Sequence, residues 1–341
     1  MSEIISSALY AFFIGLFGVI GLTVGVALSL ILIATFFKRF KSVEKKTLYK
    51  PIALPNAQGK RAVLDKDSPV ILQVDIKGVI GSKLLNMGSV ESQLTESREG
   101  ELKKNRVKAV LLKINSPGGT VIDSDSIYRQ LKEYKKRYNV PIYAYVDGLC
   151  ASGGMYIASA ADKIYCSNTS LIGSIGVVSF PFFNVSKTLD DWGIESLTLS
   201  EGKGKDHLNP FRPWKPGEDK NHREILGDYY KNFVKIIVEN RPINEETLIE
   251  THGAKIFSAG QAQEIGLVDK KGFTLSETIE EMVDVLKIED EEYQVVELVS
   301  KKWYPNFLQG PLEIIGEVNQ NWRMAGMTFC EKSPFMYLYI P

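Results

Sequence analysis

The sequence predicts an α/β fold built on a mostly parallel sheet, and two observations support this class. Apolar segments of strand length lie at residues 70–76, 109–114 and 142–146, and a helical pattern spans residues 122–138 between the last two. Such alternation is typical of β-α-β crossovers, which produce parallel sheets. With 341 residues, of which 44% are hydrophobic, the chain is also long enough to bury a substantial core.

The amino-terminal segment predicts a membrane anchor ahead of this fold. Residues 4–37 carry no charged side chain, which exceeds the roughly 20 residues that a membrane-spanning helix needs. One transmembrane helix within residues 1–40 is the simplest interpretation, with a tight double-pass hairpin as the alternative, and the lipid bilayer is a predicted partner. By the positive-inside rule, the basic residues that follow would place the folded domain in the cytoplasm. They are Lys38, Arg39, Lys41, Lys45, Lys46 and Lys50.

The remaining elements continue the alternation along the chain. Residues 41–68, which include Pro51 and Pro55 and lack apolar periodicity, are predicted to be a linker. The folded domain is predicted at 69–290 and a C-terminal extension at 291–341. Beyond residue 152 we expect a short helix, strands at 163–166, 172–178 and 196–199, and helices at 218–239, 245–251 and 275–286.

Composition excludes several classes of function. Acidic and basic residues balance at 41 each, so net charge gives no reason to expect a nucleic-acid partner. The three cysteines, Cys150, Cys166 and Cys330, form no Cys-x-x-Cys pair, and no histidine lies at metal-ligand spacing. We therefore predict no metal, no cofactor and no disulfide, with the cysteines serving as small buried residues.

Two glycine-bearing loops are the candidates for chemistry. The strand at 109–114 leads into residues 115–119, NSPGG, where Gly118 and Gly119 leave backbone N–H groups accessible to a carbonyl oxygen. A tight turn would give the same pattern. The strand at 142–146 leads towards Ser152-Gly153-Gly154 at a predicted helix start, which would expose the serine hydroxyl and orient the Gly153 N–H at an oxyanion. A serine N-cap is the alternative.

A nucleophilic serine needs a general base, and the sequence offers two kinds. His207, His222 and His252 have no obvious carboxylate partner. A buried lysine amine can serve instead, because desolvation lowers its pKa from roughly 10.4 towards neutrality. Lys205 lies in a glycine-bearing loop with Lys203 two residues before it, and a solvated surface lysine is the ordinary interpretation of both.

Several motifs together resemble the signal peptide peptidase A family, including its SohB-like members. They are residues 115–119 (NSPGG), 151–158 (ASGGMYIA), 171–177 (LIGSIGV) and a later signature within 257–269. The resemblance implies a Clp-protease/crotonase-like fold, a β-β-α superhelix, with a peptidase domain at 69–290. It also implies a Ser-Lys dyad, a homo-oligomer, and an apolar, signal-peptide-like peptide as substrate. The related Clp proteases use histidine, and residues 172–183 contain none.

Carried over to this chain, the resemblance implies that Ser152 is the nucleophile and Lys205 the base, with Lys203 as the competitor. Gly118, Gly119 and Gly153 match the oxyanion region. The family usually places its catalytic domain outside the cytoplasm, which conflicts with the basic residues after the anchor, so both orientations stay open.

Two further alternatives concern the whole protein and its tail. A noncatalytic membrane scaffold would keep the fold without the chemistry, and acyl-CoA chemistry would not need the residues around Ser152 or an anchor. The uncharged segment at residues 335–341 is expected either to pack on the body or to enter an active site as a product-like peptide.

Overall fold

A computed structural model describes residues 49–61, 67–288, 292–300 and 335–338, together with eleven helical positions between residues 18 and 33. The chain divides into two compact units, Met1–Leu48 and Tyr49–Pro341. Much of the anchor predicted at 1–40 therefore lies outside the described residues. Among the positions that are described, no helix combines the length and the apolar character needed to cross a bilayer.

The larger unit contains two sheets. In chain order, its described strands are β1 Tyr49–Leu54, β2 Val70–Lys77, β3 Val107–Ser116, β4 Gly118–Thr120, β5 Ile142–Ala151, β6 Lys163–Cys166, β7 Leu171–Gly173, β8 Val178–Ser179, β9 Ile256–Ser258, β10 Lys270–Lys271, β11 Gln294–Ser300 and β12 Phe335–Leu338. The main sheet has the order β1-β11-β2-β3-β5-β6-β10, with β7 extending from the end of β5 and pairing with β9. The pairs from β11 through β10 are parallel, whereas β1 joins β11 in the antiparallel sense.

Helices connect these strands and cover the sheet. They are α1 Met87–Glu99, α2 Val121–Tyr138, α3 Gly153–Ala158, α4 Ser186–Asp191, α5 Lys220–Asn240, α6 Ala259–Glu264 and α7 Leu275–Leu286, with a π-helical turn at Thr247–His252. Local signals set their ends: the Thr120 side chain accepts from the Asp123 N–H at the start of α2, and Asn139 ends that helix in the left-handed conformation. The mixed α/β class predicted from the sequence is confirmed.

The core forms on both faces of the main sheet, because adjacent residues of a strand point to opposite faces. Leu112 of β3 belongs to the larger cluster, which also contains residues of α2, α3 and α5. Its neighbour Leu111 belongs to a second cluster with Ile279 and Met282 of α7. Strands buried on both faces read as continuous apolar runs, which explains why β2, β3 and β5 were recognisable in the sequence.

Several predicted elements differ from the structure. Residues 196–199 form an exposed irregular segment and no strand, and the strand expected at 172–178 is divided into β7 and β8. The helix expected at 245–251 is the π-helical turn. Strand β1 lies within the predicted linker, and β11 and β12 lie within the predicted C-terminal extension. The sequence interpretation also missed α1, because the apolar residues of this helix form only a weak stripe.

Candidate active site

Ser152 lies at a sharp turn between β5 and α3. Its backbone has φ +54° and ψ −116°, a combination that residues other than glycine rarely adopt. Its hydroxyl makes no helix-capping hydrogen bond. Ser152 therefore occupies the N-cap position of α3 without capping the helix through its side chain, and its geometry is that of a serine held on a strained strand-to-helix turn.

Hydrogen bonds on both sides fix this turn. The Ser152 N–H donates to the Gly173 carbonyl oxygen at 2.8 Å, and its own carbonyl accepts from the Tyr156 N–H at 2.9 Å. The Ser152 Oγ donates to the carbonyl oxygen of Gly176 at 3.4 Å, a long contact that leaves the hydroxyl weakly held. The serine side chain is thus oriented without being committed to a strong partner.

Tyr156 anchors helix α3 to the core, and its ring is fully buried. The Tyr156 hydroxyl donates to Asp125 of α2 at 2.8 Å and accepts from the Asn232 amide of α5 at 2.7 Å. Its ring packs edge-on against Tyr128 at 5.5 Å and tilted against Phe233 at 5.0 Å. These contacts tie the helix that follows Ser152 to two longer helices, so the turn rests on a rigid support.

The second glycine loop is built around Ser116. Its Oγ donates to the Gly78 carbonyl oxygen at 2.7 Å and accepts from the Gly118 N–H at 3.1 Å. Gly119 then passes so close to Ile80 that a Cβ at this position would lie 1.9 Å from the Ile80 carbonyl oxygen. The loop therefore requires glycine for close backbone approach, and the Gly118 N–H is already engaged by Ser116.

The Gly153 N–H is the predicted oxyanion donor that stays available. Gly153 is the first residue of α3, and its N–H forms no hydrogen bond to another described residue. An N–H group at a helix start has no partner within the helix. Of the three predicted oxyanion glycines, Gly153 thus has the geometry best suited to that role.

A small second sheet flanks the serine turn, and the sequence did not predict it. Strand β12 pairs antiparallel with β4 on one side and with β8 on the other. The uncharged, β-prone residues at 335–338 were the available signal, but their partners are more than 150 residues away in the sequence.

The two candidate lysines lie at the protein surface. Lys205 and Lys203 are both exposed, and neither side chain forms a hydrogen bond or ion pair to another residue in the described part of the chain. Of the histidines, His222 packs its ring against Phe182, and His252 packs its ring against Phe257.

The loop that carries Lys205 is nevertheless ordered by Arg212. Its Nε donates to Asp206 at 2.5 Å and its Nη1 donates to Glu218 at 2.7 Å. The Glu218 carboxylate also accepts from the Leu208 N–H at 3.0 Å. Hydrogen bonds from Arg212 hold the pKa of both carboxyls below their usual range. Asp206, the residue next to Lys205, is therefore held in place by Arg212, whereas the Lys205 side chain has no such contact.

The cysteines behave as expected where the structure describes them. Cys150 and Cys166 are free and buried. Burial raises the pKa of Cys150, and it raises the pKa of Cys166 to about 11, so neither thiol is prepared for nucleophilic attack. Cys330 lies outside the described residues.

Comparison with known proteins identifies the class of the chain. The family model described as "Peptidase family S49" matches residues 134–289. A candidate protease of Synechocystis is 32% identical over 202 residues, which are 59% of this chain and 69% of that protein. A candidate signal peptide peptidase SppA of Enterococcus faecium is 33% identical over 226 residues, 64% of this chain and 63% of that protein. The class is that of the serine peptidases.

Within that class the chain belongs to peptidase family S49, the family of the signal peptide peptidase A proteins. The chain spans 54% and 63% of the length of the first two curated relatives that it matches, which is between half and two thirds of each. Among solved structures, a point mutant of ClpP1 from Listeria monocytogenes matches with a TM-score of 0.42 and 16% identity, covering 63% of this chain and 96% of that one.

Proposed function

We propose that the protein is a membrane-anchored serine endopeptidase in which Ser152 is the nucleophile and Lys205 the general base. The observation that carries this proposal is the backbone of Ser152, with φ +54° and a hydroxyl free of capping. Strain of about 1–3 kcal/mol at such a position persists when the surrounding structure enforces it, and it occurs preferentially at functional sites.

The reaction follows from these groups. Ser152 Oγ attacks the carbonyl carbon of the scissile bond while its proton passes to the neutral lysine amine. The carbonyl oxygen becomes negative, and the Gly153 N–H donates to it. The lysine then protonates the leaving amine, and water attacks the acyl-enzyme in a second step with the same base.

Lys205 must approach Ser152 for this chemistry, because a base acts within about 3 Å of the proton it takes. We propose that this approach, and the desolvation that a neutral lysine requires, come with assembly into a homo-oligomer. Large apolar side chains exposed around this loop support an assembly. They include Phe183 at 71% exposure, Trp192 at 73%, Leu197 at 84% and Leu199 at 86%.

The proposed substrates are apolar peptides such as cleaved signal peptides. The uncharged run at residues 4–37 would hold the enzyme at a bilayer, where such peptides remain after preprotein processing. We further propose that the mixed α/β sheet is a Clp-protease/crotonase-like fold. The S49 match and the name of the Enterococcus relative support this substrate class.

The proposal is tested with purified full-length Ser152→Ala, Lys205→Ala and Lys203→Ala. Cleavage of an apolar fluorogenic peptide is measured together with labelling by a fluorophosphonate. We expect Ser152→Ala to lose both, and Lys205→Ala to lose at least about 100-fold in kcat, as removal of a general base does. Lys203→Ala should retain activity.

Ser159→Ala is the matched control, because Ser159 is also a buried serine at an end of α3 and donates to the Met155 carbonyl at 2.9 Å. Full activity in Ser152→Ala would contradict the central assignment. Loss in Lys203→Ala alone would move the base by two residues. A folded wild-type protein that neither cleaves nor labels would instead favour the noncatalytic scaffold.

A further inference from the structure

Tyr156 supplies the polar side chain of the short helix that follows the nucleophile. The residues of α3, Gly153–Ala158, are all buried, and Tyr156 is the one among them that carries a hydroxyl, amide or charged group. It lies one turn after Ser152, and its N–H closes that turn on the Ser152 carbonyl oxygen at 2.9 Å. So short a helix has little stability of its own, so its position depends on tertiary contacts.

The Tyr156 hydroxyl lies where three helices meet. It donates to Asp125 of α2 at 2.8 Å and accepts from the Asn232 amide of α5 at 2.7 Å. A carboxylate can only accept and an amide nitrogen can only donate, so the direction of both hydrogen bonds is fixed. Arg129 pairs with the other oxygen of Asp125 at 2.7 Å, which keeps that carboxylate in place. The hydroxyl therefore holds α3 against both longer helices at once.

Helix α5 leads from this point to the loop that carries Lys205. Phe233 of α5 is fully buried, and its ring packs against that of Tyr156 with centroids 5.0 Å apart. Just ahead of α5, Glu218 accepts a hydrogen bond from Arg212 of the loop at 2.7 Å. A regular α-helix keeps its hydrogen-bonded geometry over many turns. The helix that follows the nucleophile and the loop of the candidate base are therefore attached to one rigid element.

We propose that Tyr156 is a positioning residue, whose hydroxyl sets the place of Ser152 relative to the loop of the base through α5. The inference rests on the proposed function, because it takes Lys205 as that base. Proton transfer requires the serine oxygen and the amine within about 3 Å of each other, and a misplacement of about 1 Å can slow catalysis about 100-fold. Loss of the hydroxyl should therefore lower kcat, whereas KM, which reflects contacts with the substrate, should change little.

The test compares Tyr156→Phe with Tyr134→Phe in the full-length protein. Both changes keep the ring and remove the hydroxyl of a buried tyrosine, but Tyr134 forms its hydrogen bond with Ser97 of α1 at 2.9 Å and so connects α1 with α2. With an apolar fluorogenic peptide, we expect Tyr156→Phe to lower kcat at least about tenfold and to keep KM within about twofold of wild type. Tyr134→Phe should keep both constants within about twofold.

The pH dependence of kcat/KM separates positioning from a general loss of stability. The base must be neutral to take the serine proton, and desolvation lowers the pKa of a lysine amine. A lysine that is held less closely is better solvated, so its pKa rises and the acid limb of the kcat/KM profile moves to higher pH. We expect this shift in Tyr156→Phe and no shift in Tyr134→Phe.

Asn232→Ala provides a second variant in case Tyr156→Phe folds poorly, because Asn232 is exposed and its replacement leaves the bond between Tyr156 and Asp125 intact. It should reproduce the fall in kcat and the pH shift. A wild-type kcat and pH profile in either variant, or an equal loss in Tyr134→Phe, would overturn the proposal. If wild type does not cleave, or if Lys205→Ala keeps full activity, the proposed function itself fails, and the role of Tyr156 fails with it.

Discussion

At the scale of single residues, the strained backbone of Ser152 depends on groups that lie far from it in the sequence. The Ser152 N–H donates to the Gly173 carbonyl oxygen. Tyr156 of the following helix forms hydrogen bonds with Asp125 and Asn232. A residue in a sparsely populated conformation persists only when its surroundings over-determine it. The Ser152-Gly153-Gly154 motif was visible in the sequence, but its conformation was not.

Asp269 is predicted to make stability depend on pH. Burial raises the pKa of its carboxyl, but the Ile164 N–H, Arg241 and Lys163 outweigh burial and hold that pKa below its usual range. A lowered pKa stabilises the fold above the unfolded value of about 3.9, and the contribution is lost as pH falls further. Asp269→Asn should cost roughly 2–3 kcal/mol at pH 7, because it leaves the buried Arg241 without its carboxylate.

Urea unfolding of wild type and Asp269→Asn at pH 7, 5 and 3.5 measures this effect. The difference between them should begin to shrink at the lowest pH, because Asp269 then becomes protonated in the unfolded wild-type chain. Asp284→Asn, at an exposed position of α7, is the control and should change little. A difference that stays constant with pH would show that the carboxylate charge is not responsible.

Arg212 is predicted to order the loop next to Lys205. Arg212→Ala removes the donor shared by Asp206 and Glu218, and it should expose residues 202–217 to limited proteolysis. Peptidase activity should fall at least several-fold through kcat, because the base is no longer positioned. Arg223→Ala, which removes an exposed ion pair with Asp219 within one helix turn, is the control. Unchanged cleavage of the loop in Arg212→Ala would contradict this role.

At the scale of elements, the long buried segments and the short strand β6 were predictable, whereas the strands of the small second sheet were not. Helix α7 and strand β6 have the predicted boundaries, and β2, β3, β5, α2 and α5 differ from prediction mainly at their ends. Strands β4, β8 and β12 span only two to four residues each. So few residues cannot show an alternation of apolar and polar side chains. Such a segment becomes a strand because of the strands with which it pairs.

Strand β4 offers a direct test of close backbone packing. Gly119→Ala would push a methyl group against the Ile80 carbonyl, so it should destabilise the protein by about 1–3 kcal/mol and disturb the small sheet to which β4 belongs. Gly227→Ala in α5 meets open space and should stabilise by up to about 1 kcal/mol. Thermal unfolding of both variants measures the contrast. A neutral Gly119→Ala would mean that β4 can move away from Ile80.

At the scale of the whole molecule, the segment from α4 to α5 exposes several large apolar side chains, among them Trp192, Leu197 and Leu199. If subunits cover it, Leu197→Glu combined with Leu199→Glu should reduce the molar mass seen by light scattering to that of a monomer. Thermal stability of the monomer should be unchanged, because both side chains are over 80% exposed within one chain. Leu84→Glu, at another exposed leucine, is the control and should not alter assembly.

The sequence by itself determined the α/β class, the family motifs and the two glycine loops, because these depend on local composition and on buried runs of sufficient length. Only the tertiary structure decided that Ser152 is strained and uncapped, that Gly118 is engaged by Ser116, and that β12 lies between β4 and β8. The pairing of β12 and the hydrogen bonds that join Ser152 to Gly173 and Ser116 to Gly78 are contacts between segments distant in the chain. Such contacts form only when the whole chain folds, and local sequence patterns do not specify them.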